Sequence, residues 1–267
     1  MGLAVLDKFL AGGAVARVFY QCGLQGRLRV TRHELKVGGL PEPLVLAFAS
    51  DFHAGPTTHP ELFDTLVAEV NACRPDVLLL GGDYVEFRTQ YLEILSARLA
   101  RCRPRFGTYA VLGNHDVWAD TDQIAPQLAA VGIEVLVNRN SSLPPPFNDV
   151  SICGIDDPWV GLPDVEAAFS GASQIRVFLS HSPDGLHLIG NETFEVAFSG
   201  HTHGGQVALP DGTAIINAGG PLSKKYGRGR FEIAGNGPLI VSRGVGCSNL
   251  PVRINSDPEL IVCTLVP

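Results

Sequence analysis

The sequence of 267 residues holds no Cys-x-x-Cys pair, no internal repeat, no low-complexity linker and no apolar run of membrane-spanning length. Its six cysteines (22, 73, 102, 153, 247 and 263) therefore read as reduced, mostly buried thiols, which suits a cytoplasmic protein, although sequence leaves a disulfide open. Charge is also scarce. At 18% charged residues and a formal net charge of −7, broad nucleic-acid binding is argued against, and no specific nucleic-acid partner is expected. The apolar stretch 9–16 resembles a signal-peptide core, but no small-residue cleavage site follows it. Asp7 and Lys8 leave no basic leader, and Arg17 interrupts the run. Residues 3–18, with Leu3, Leu6, Leu10, Ala14 and Val18 on one side, read instead as an amphipathic helix. It either docks on the protein itself, the plainer reading, or lies peripherally on a membrane. The expected organisation is an N-terminal segment 1–26 and one domain over 27–267, since 45% hydrophobic residues suffice for one large core.

What the chain does have is five apolar strands that each end in potential metal ligands. Residues 44–48 run into Asp51 and His53, residues 77–80 into Asp83, residues 108–112 into Asn114, His115 and Asp116, and residues 175–179 into His181. The fifth, 195–198, runs into Ser199-Gly-His-Thr-His-Gly-Gly205. Such runs, rich in Val, Ile and Leu and bounded by Gly, are the signature of strands buried on both faces, and ligand sites form beyond their carboxyl ends.

Between them, Thr58-His-Pro-Glu61 predicts a capped helix start with an apolar face through Val70. Further helices are expected over 91–100 and 121–130. This alternation reads as an α/β sheet. After residue 133 helices thin out, and strands are expected over 133–137, 150–155, 214–216, 239–242 and 260–265, which favours a second sheet packed on the first. Asp51, His53, Asp83, Asn114, His181, His201 and His203 are too many ligands for one tetrahedral zinc but suit two adjacent ions sharing a carboxylate. Imidazole-rich ligation favours manganese, iron or zinc over magnesium. Six basic residues against the single acid Glu232 between Ser223 and Arg253 read either as a solvated strip or as a phosphate-attracting rim, with Arg228 and Arg243 as candidate substrate contacts. Trp118 and Trp159 either frame a pocket or pack in the core.

In order, Asp51-x-His53, Gly82-Asp83, Gly113-Asn-His-Asp116, His181 and Gly200-His-Thr-His203 resemble the motif set of the calcineurin-like metallophosphoesterase superfamily. Gly204-Gly-Gln206, Lys225-Tyr-Gly-Arg-Gly229, Val241-Ser-Arg-Gly244 and Pro258-Glu-Leu-Ile261 resemble its bacterial YaeI/YkuE-like phosphodiesterase group. The resemblance implies a four-layer α-β-β-α sandwich of two packed mixed β-sheets flanked by helices. It also implies a dinuclear centre of divalent or trivalent ions: Asp51, His53, Asp83 and His203 at one metal, Asp83, Asn114, His181 and His201 at the other. A metal-bridging hydroxide would then attack phosphorus in line, with His115 assisting the leaving oxygen.

Where phosphoprotein-phosphatase relatives read Gly-Asp-x-x-Asp-Arg, this chain reads Gly82-Asp-Tyr-Val-Glu-Phe87. Glu86 thus replaces the acid that orients the catalytic histidine, and Phe87 replaces the phosphate-gripping arginine, which favours diesters over monoesters. Glu86 and Asp116 are expected just behind the ligands. The substrate expected is a phosphoester small molecule or a lipid-linked one. A phosphomonoesterase or a UDP-diacylglucosamine-type pyrophosphohydrolase would use the same centre. A non-catalytic scaffold is the competing class, but superfamily members that lost catalysis lose ligands or the motif histidine, and this chain keeps them all.

Overall fold

The protein is described by a computed structural model covering residues 13–215 and 219–267. Among the described residues the strands are β1 (Arg29–Lys36), β2 (Leu44–Ala49), β3 (Val77–Leu80), β4 (Thr108–Ala110), β5 (Ile133–Val135), β6 (Arg139–Ser142), β7 (Val150–Gly154), β8 (Ile175–Leu179), β9 (Val196–Ser199), β10 (Gly229–Phe231), β11 (Leu239–Val241) and β12 (Glu259–Val266). The helices are α1 (Ala14–Gln21), α2 (Glu61–Cys73), α3 (Leu92–Leu99), α4 (Asn114–Ala119), α5 (Thr121–Ala130), α6 (Val165–Phe169) and α7 (Pro221–Lys225). Two six-stranded sheets result, ordered β1-β12-β2-β3-β4-β5 and β10-β11-β9-β8-β7-β6. Both are mixed. The runs β2-β3-β4-β5 and β11-β9-β8-β7 are parallel, while β12 against β2, β10 against β11 and β6 against β7 are antiparallel.

The two-residue alternation of strand side chains builds the layers. Leu44, Leu46 and Phe48 of β2 join Val177, Leu179 and Phe198 in the core between the sheets. Ala47 and Ala49 point the other way, against Leu62, Leu66 and Val70 of α2. On the far side, Phe178 and Ala197 meet Val165, Ala168 and Phe169 of α6. The arrangement is the expected four-layer sandwich.

Several local expectations differ. Thr58 does not cap α2: its hydroxyl accepts the Cys247 N–H at 2.9 Å, and the helix begins after Pro60 with no side-chain cap. Only an isolated bridge between Ala208 and Ala214 stands where a strand was expected over 214–216, and residue 216 lies outside the described residues. The amphipathic segment is described only from Gly13. There Ala16 is buried while Ala14 and Val18 face outward, so the apolar side read from the sequence is not the side that packs; Leu3, Leu6 and Leu10 lie outside the described residues. No described helix is long and apolar enough to cross a membrane. All six cysteines are free thiols, four of them buried.

Candidate metal centre

Parallel strands aligned in both sheets bring their carboxyl ends to one place. Asp51 and His53 follow β2, Asp83 follows β3, Asn114 and His115 open α4 after β4, His181 follows β8, and His201 and His203 follow β9. All seven predicted ligands are buried, none more than 7% exposed. Five of them, Asp51, His53, Asp83, His201 and His203, hold a left-handed backbone, with φ between 44° and 69°. That region costs a non-glycine residue of order 1 kcal/mol or more, and a run of such residues is characteristic of sites where side chains are aimed at a shared point. Close packing demands glycine beside them: a Cβ on Gly113 would lie 2.2 Å from Asp83 Oδ1.

The donor atoms form two groups that meet at Asp83. In the first, His53 Nε2 faces His203 Nε2 at 2.9 Å, His203 Nε2 lies 3.5 Å from Asp51 Oδ1, and His53 Nε2 lies 3.5 Å from Asp83 Oδ2. In the second, His181 Nε2 lies 3.3 Å from the same Asp83 oxygen, 3.2 Å from Asn114 Oδ1 and 3.2 Å from His201 Nδ1.

Burial and charge set the protonation. Burial works to raise the Asp83 carboxyl, but His181 and His115 beside it hold it well below the usual carboxylate range. Burial likewise works to lower His181, yet Asp83 holds it well above the usual imidazole value; Glu86 raises His53 in the same way. Burial, reinforced by His181, pushes His201 down to about 3, and burial with His53 and Arg253 nearby pushes His203 well below its usual value. The latter two imidazoles are therefore neutral, with lone pairs to offer. Two confronting imidazole nitrogens and two buried carboxylates call for positive charge between them. The set of imidazole, carboxylate and amide oxygen donors fits borderline transition metals.

Behind the ligands, His181 Nδ1 donates to the Gly81 carbonyl at 2.7 Å, which turns Nε2 inward. Asp116 accepts from the backbone N–H groups of Asp83, Tyr84 and Gly113 at 2.8–2.9 Å, fixing the loop that carries Asp83. The role expected of Glu86 differs from what is seen. Its backbone carbonyl, at 2.5 Å from Nδ1, orients His115, while its carboxylate stands 3.9 Å from that nitrogen and 2.5 Å from His53 Nδ1. A side chain one carbon longer than aspartate reaches past His115 to His53 beside it. Glu86→Gln is accordingly expected to weaken divalent-metal affinity roughly 10- to 100-fold, read by competition against a chelating dye.

Sequence reasoning missed Arg253 as a neighbour of the centre. It is buried, 4% exposed, with Nη2 at 3.2 Å from His203 Nδ1 and its other hydrogens given to the carbonyls of Arg243, Gly246 and Ser256. Backbone partners leave no spacing in sequence, so only the surrounding basic strip hinted at it. Two members of that strip are paired with acids. Arg230 pairs with Glu232 at 2.7 Å and Arg243 with Glu259 at 2.9 Å. The two arginines expected at the substrate are placed elsewhere: Arg228 donates to the Asn255 carbonyl, and the stems of Arg228 and Arg243 pack under Gly204 in the His203 turn. Neither lines the cavity above the ligands.

That cavity, of about 450 Å³, is floored by Asp83, Asn114, His201 and His203 and walled by His115, Phe87, Trp118, Trp159 and the 248–250 loop. Glu86 Oε1 accepts the Asn249 N–H at 2.8 Å, and Gln206 accepts the Ser248 N–H, so the wall is tied to the ligand loops.

Residues 44–205 match the family described as Calcineurin-like phosphoesterase. Phosphodiesterase YaeI of Escherichia coli (strain K12) is 31% identical over 232 residues, covering 84% of this chain and 83% of YaeI. The uncharacterized metallophosphoesterase YkuE of Bacillus subtilis (strain 168) is 28% identical over 248 residues, covering 89% and 85%. Among solved structures, NAD nucleotidase NadN of Haemophilus influenzae superposes with a TM-score of 0.51 at 14% identity. The match covers 80% of this chain but 46% of NadN, so the chain spans about half its length and shares the fold. With its motif loops gathered at one point and the family pattern matched through all five, the chain belongs to the calcineurin-like phosphoesterase family.

Proposed function

We propose that the protein is a phosphodiester hydrolase working with two transition-metal ions. The observation that carries this reading is the pair of donor groups sharing Asp83: Asp51, His53 and His203 on one side, His181, His201 and Asn114 on the other. Manganese, iron or zinc bound there would supply an activated water and the positive charge that phosphoryl oxygens need.

The chain's own groups do the rest. His115 stands at the cavity edge, anchored by its N–H donating to Asp83 Oδ1 at 2.9 Å and by Nδ1 on the Glu86 carbonyl. This leaves Nε2 free, and in the imidazolium form it would give its proton to the departing oxygen and return to the neutral ring. Phe87, its ring 5.4 Å from His115, holds the position where a phosphate-gripping arginine would stand, and no lysine or arginine lines the cavity among the described residues. A monoester dianion is poorly matched to such a wall, whereas a diester carries one charge less. The name of the E. coli relative, a phosphodiesterase, agrees.

With manganese present, kcat/KM for bis(p-nitrophenyl) phosphate should exceed that for p-nitrophenyl phosphate by at least roughly tenfold, about 1.4 kcal/mol of transition-state preference. Monoester preference would overturn the reading.

A further inference from the structure

The chain contains two tryptophans, and both stand at the mouth of the cavity over the metal ligands. Trp118 is 52% exposed and Trp159 54%, an unusual state for the side chain with most apolar area to hide. They touch, with ring centroids 5.9 Å apart. Trp118 lies 5.0 Å from the His115 ring and Trp159 lies 5.4 Å from the His201 ring, so the indoles form an arc from the proton donor to a metal ligand.

The exposure is built in. Asp157 Oδ1 accepts the N–H groups of Trp159 and Val160 at 3.0 and 2.8 Å, and Asp156 Oδ2 accepts that of Leu162 at 2.8 Å. Asn138 Nδ2 donates to the Leu162 carbonyl at 2.7 Å, and a Cβ on Gly161 would meet Asp156 at 2.6 Å. Four polar contacts thus hold the loop in the one shape that presents Trp159 to the cavity. Trp118 is fixed by α4, one turn beyond His115. Across the cavity Phe87 and Leu250 are exposed as well, at 37% and 51%.

We propose that the two indoles form a subsite for an apolar substituent of the substrate, so that the diester cleaved carries an aryl ring or an alkyl chain next to the phosphate. The proposal rests on the phosphodiester reading. It goes beyond it by naming what the ester group is made of. Aromatic and aliphatic groups would both be recognised by indole faces, and ligands of each kind distinguish them.

The test is calorimetric binding to the manganese-loaded full chain of diphenyl phosphate, dibutyl phosphate and dimethyl phosphate, with turnover of each followed separately. At least one apolar diester should bind roughly tenfold or more tightly than dimethyl phosphate, the scale of a ring stacked on an aromatic side chain. Trp118→Ala combined with Trp159→Ala should erase that preference, and the double phenylalanine variant should restore most of it. Because the chain has no other tryptophan, indole emission should shift as the apolar diester binds. Both rings are half exposed, so their removal opens no core cavity, and manganese content checks that the centre survives. Tighter diphenyl phosphate supports the subsite and assigns it to rings; tighter dibutyl phosphate supports it and assigns it to chains. Equal affinity for all three diesters, or a preference that persists in the alanine variant, overturns the subsite. Turnover without apolar preference would remove this inference alone. Apolar preference in binding with no hydrolysis of any diester would leave an apolar binding site and remove both the hydrolase reading and the assignment of its ligand as a cleaved diester.

Discussion

Replacing His115 by alanine is expected to slow diester hydrolysis roughly a hundred- to ten-thousandfold, the range of a lost general acid, while metal content stays near two ions per chain. The two halves of that result come from different contacts. The imidazole touches the cavity and is held on the far side by the Glu86 carbonyl. The backbone N–H, which survives the substitution, is what reaches Asp83 at 2.9 Å. Loss of metal in the alanine variant would show that the ring is a ligand instead. The leaving group gives a finer test. A nitrophenolate departs with little help, so the defect should be smaller for nitrophenyl esters than for alkyl diesters; an equal defect for both would mean that the variant has merely disturbed the site.

Asp83→Asn should have the larger effect still, with activity falling to background and bound metal to less than one ion per chain. A single carboxylate oxygen lies 3.5 Å from His53 Nε2 and 3.3 Å from His181 Nε2, one in each donor group, so removing its charge weakens both sides together. The amide is nearly the same size, its oxygen can still accept the His115 N–H, and the loop that carries residue 83 is held by Asp116. The fold should therefore persist by circular dichroism. Chelator-treated wild type should show the same loss and recover on adding manganese, whereas the asparagine variant should not recover at micromolar metal. Full recovery of the variant would mean that Asp83 is not shared.

The convergence of the candidate ligands was legible because each sits where an apolar strand stops, and strand ends of a parallel sheet converge irrespective of what connects them. The sheets themselves were read from the same runs, Val77–Leu80 being buried along its whole length and Leu44–Ala49 at every position but the half-buried Val45. Strands with polar faces were not. β1 reads Arg-Val-Thr-Arg-His-Glu-Leu-Lys and is half exposed; its place is set by parallel pairing with β12 from Arg29 to Lys36, a contact more than two hundred residues away. The short edges β6 and β10 escaped for the same reason, since pairing over four and three residues with a neighbouring strand, rather than hydrophobic periodicity, defines them. At the site, what escaped were groups whose partners are backbone carbonyls. Arg253 satisfies its guanidinium on Gly246, Arg243 and Ser256, and Glu86 orients His115 by its main chain, neither of which residue type alone announces. Trp118 and Trp159 were left between pocket and core, and exposure of more than half of each decides for the pocket.

Manganese counting combined with electron paramagnetic resonance tests most directly whether two metal ions share this site. After loading with manganese and removal of excess, the account predicts two ions per chain and an exchange-coupled spectrum, as expected of ions bridged by Asp83. One ion per chain, with the six-line signal of an isolated centre, would contradict it.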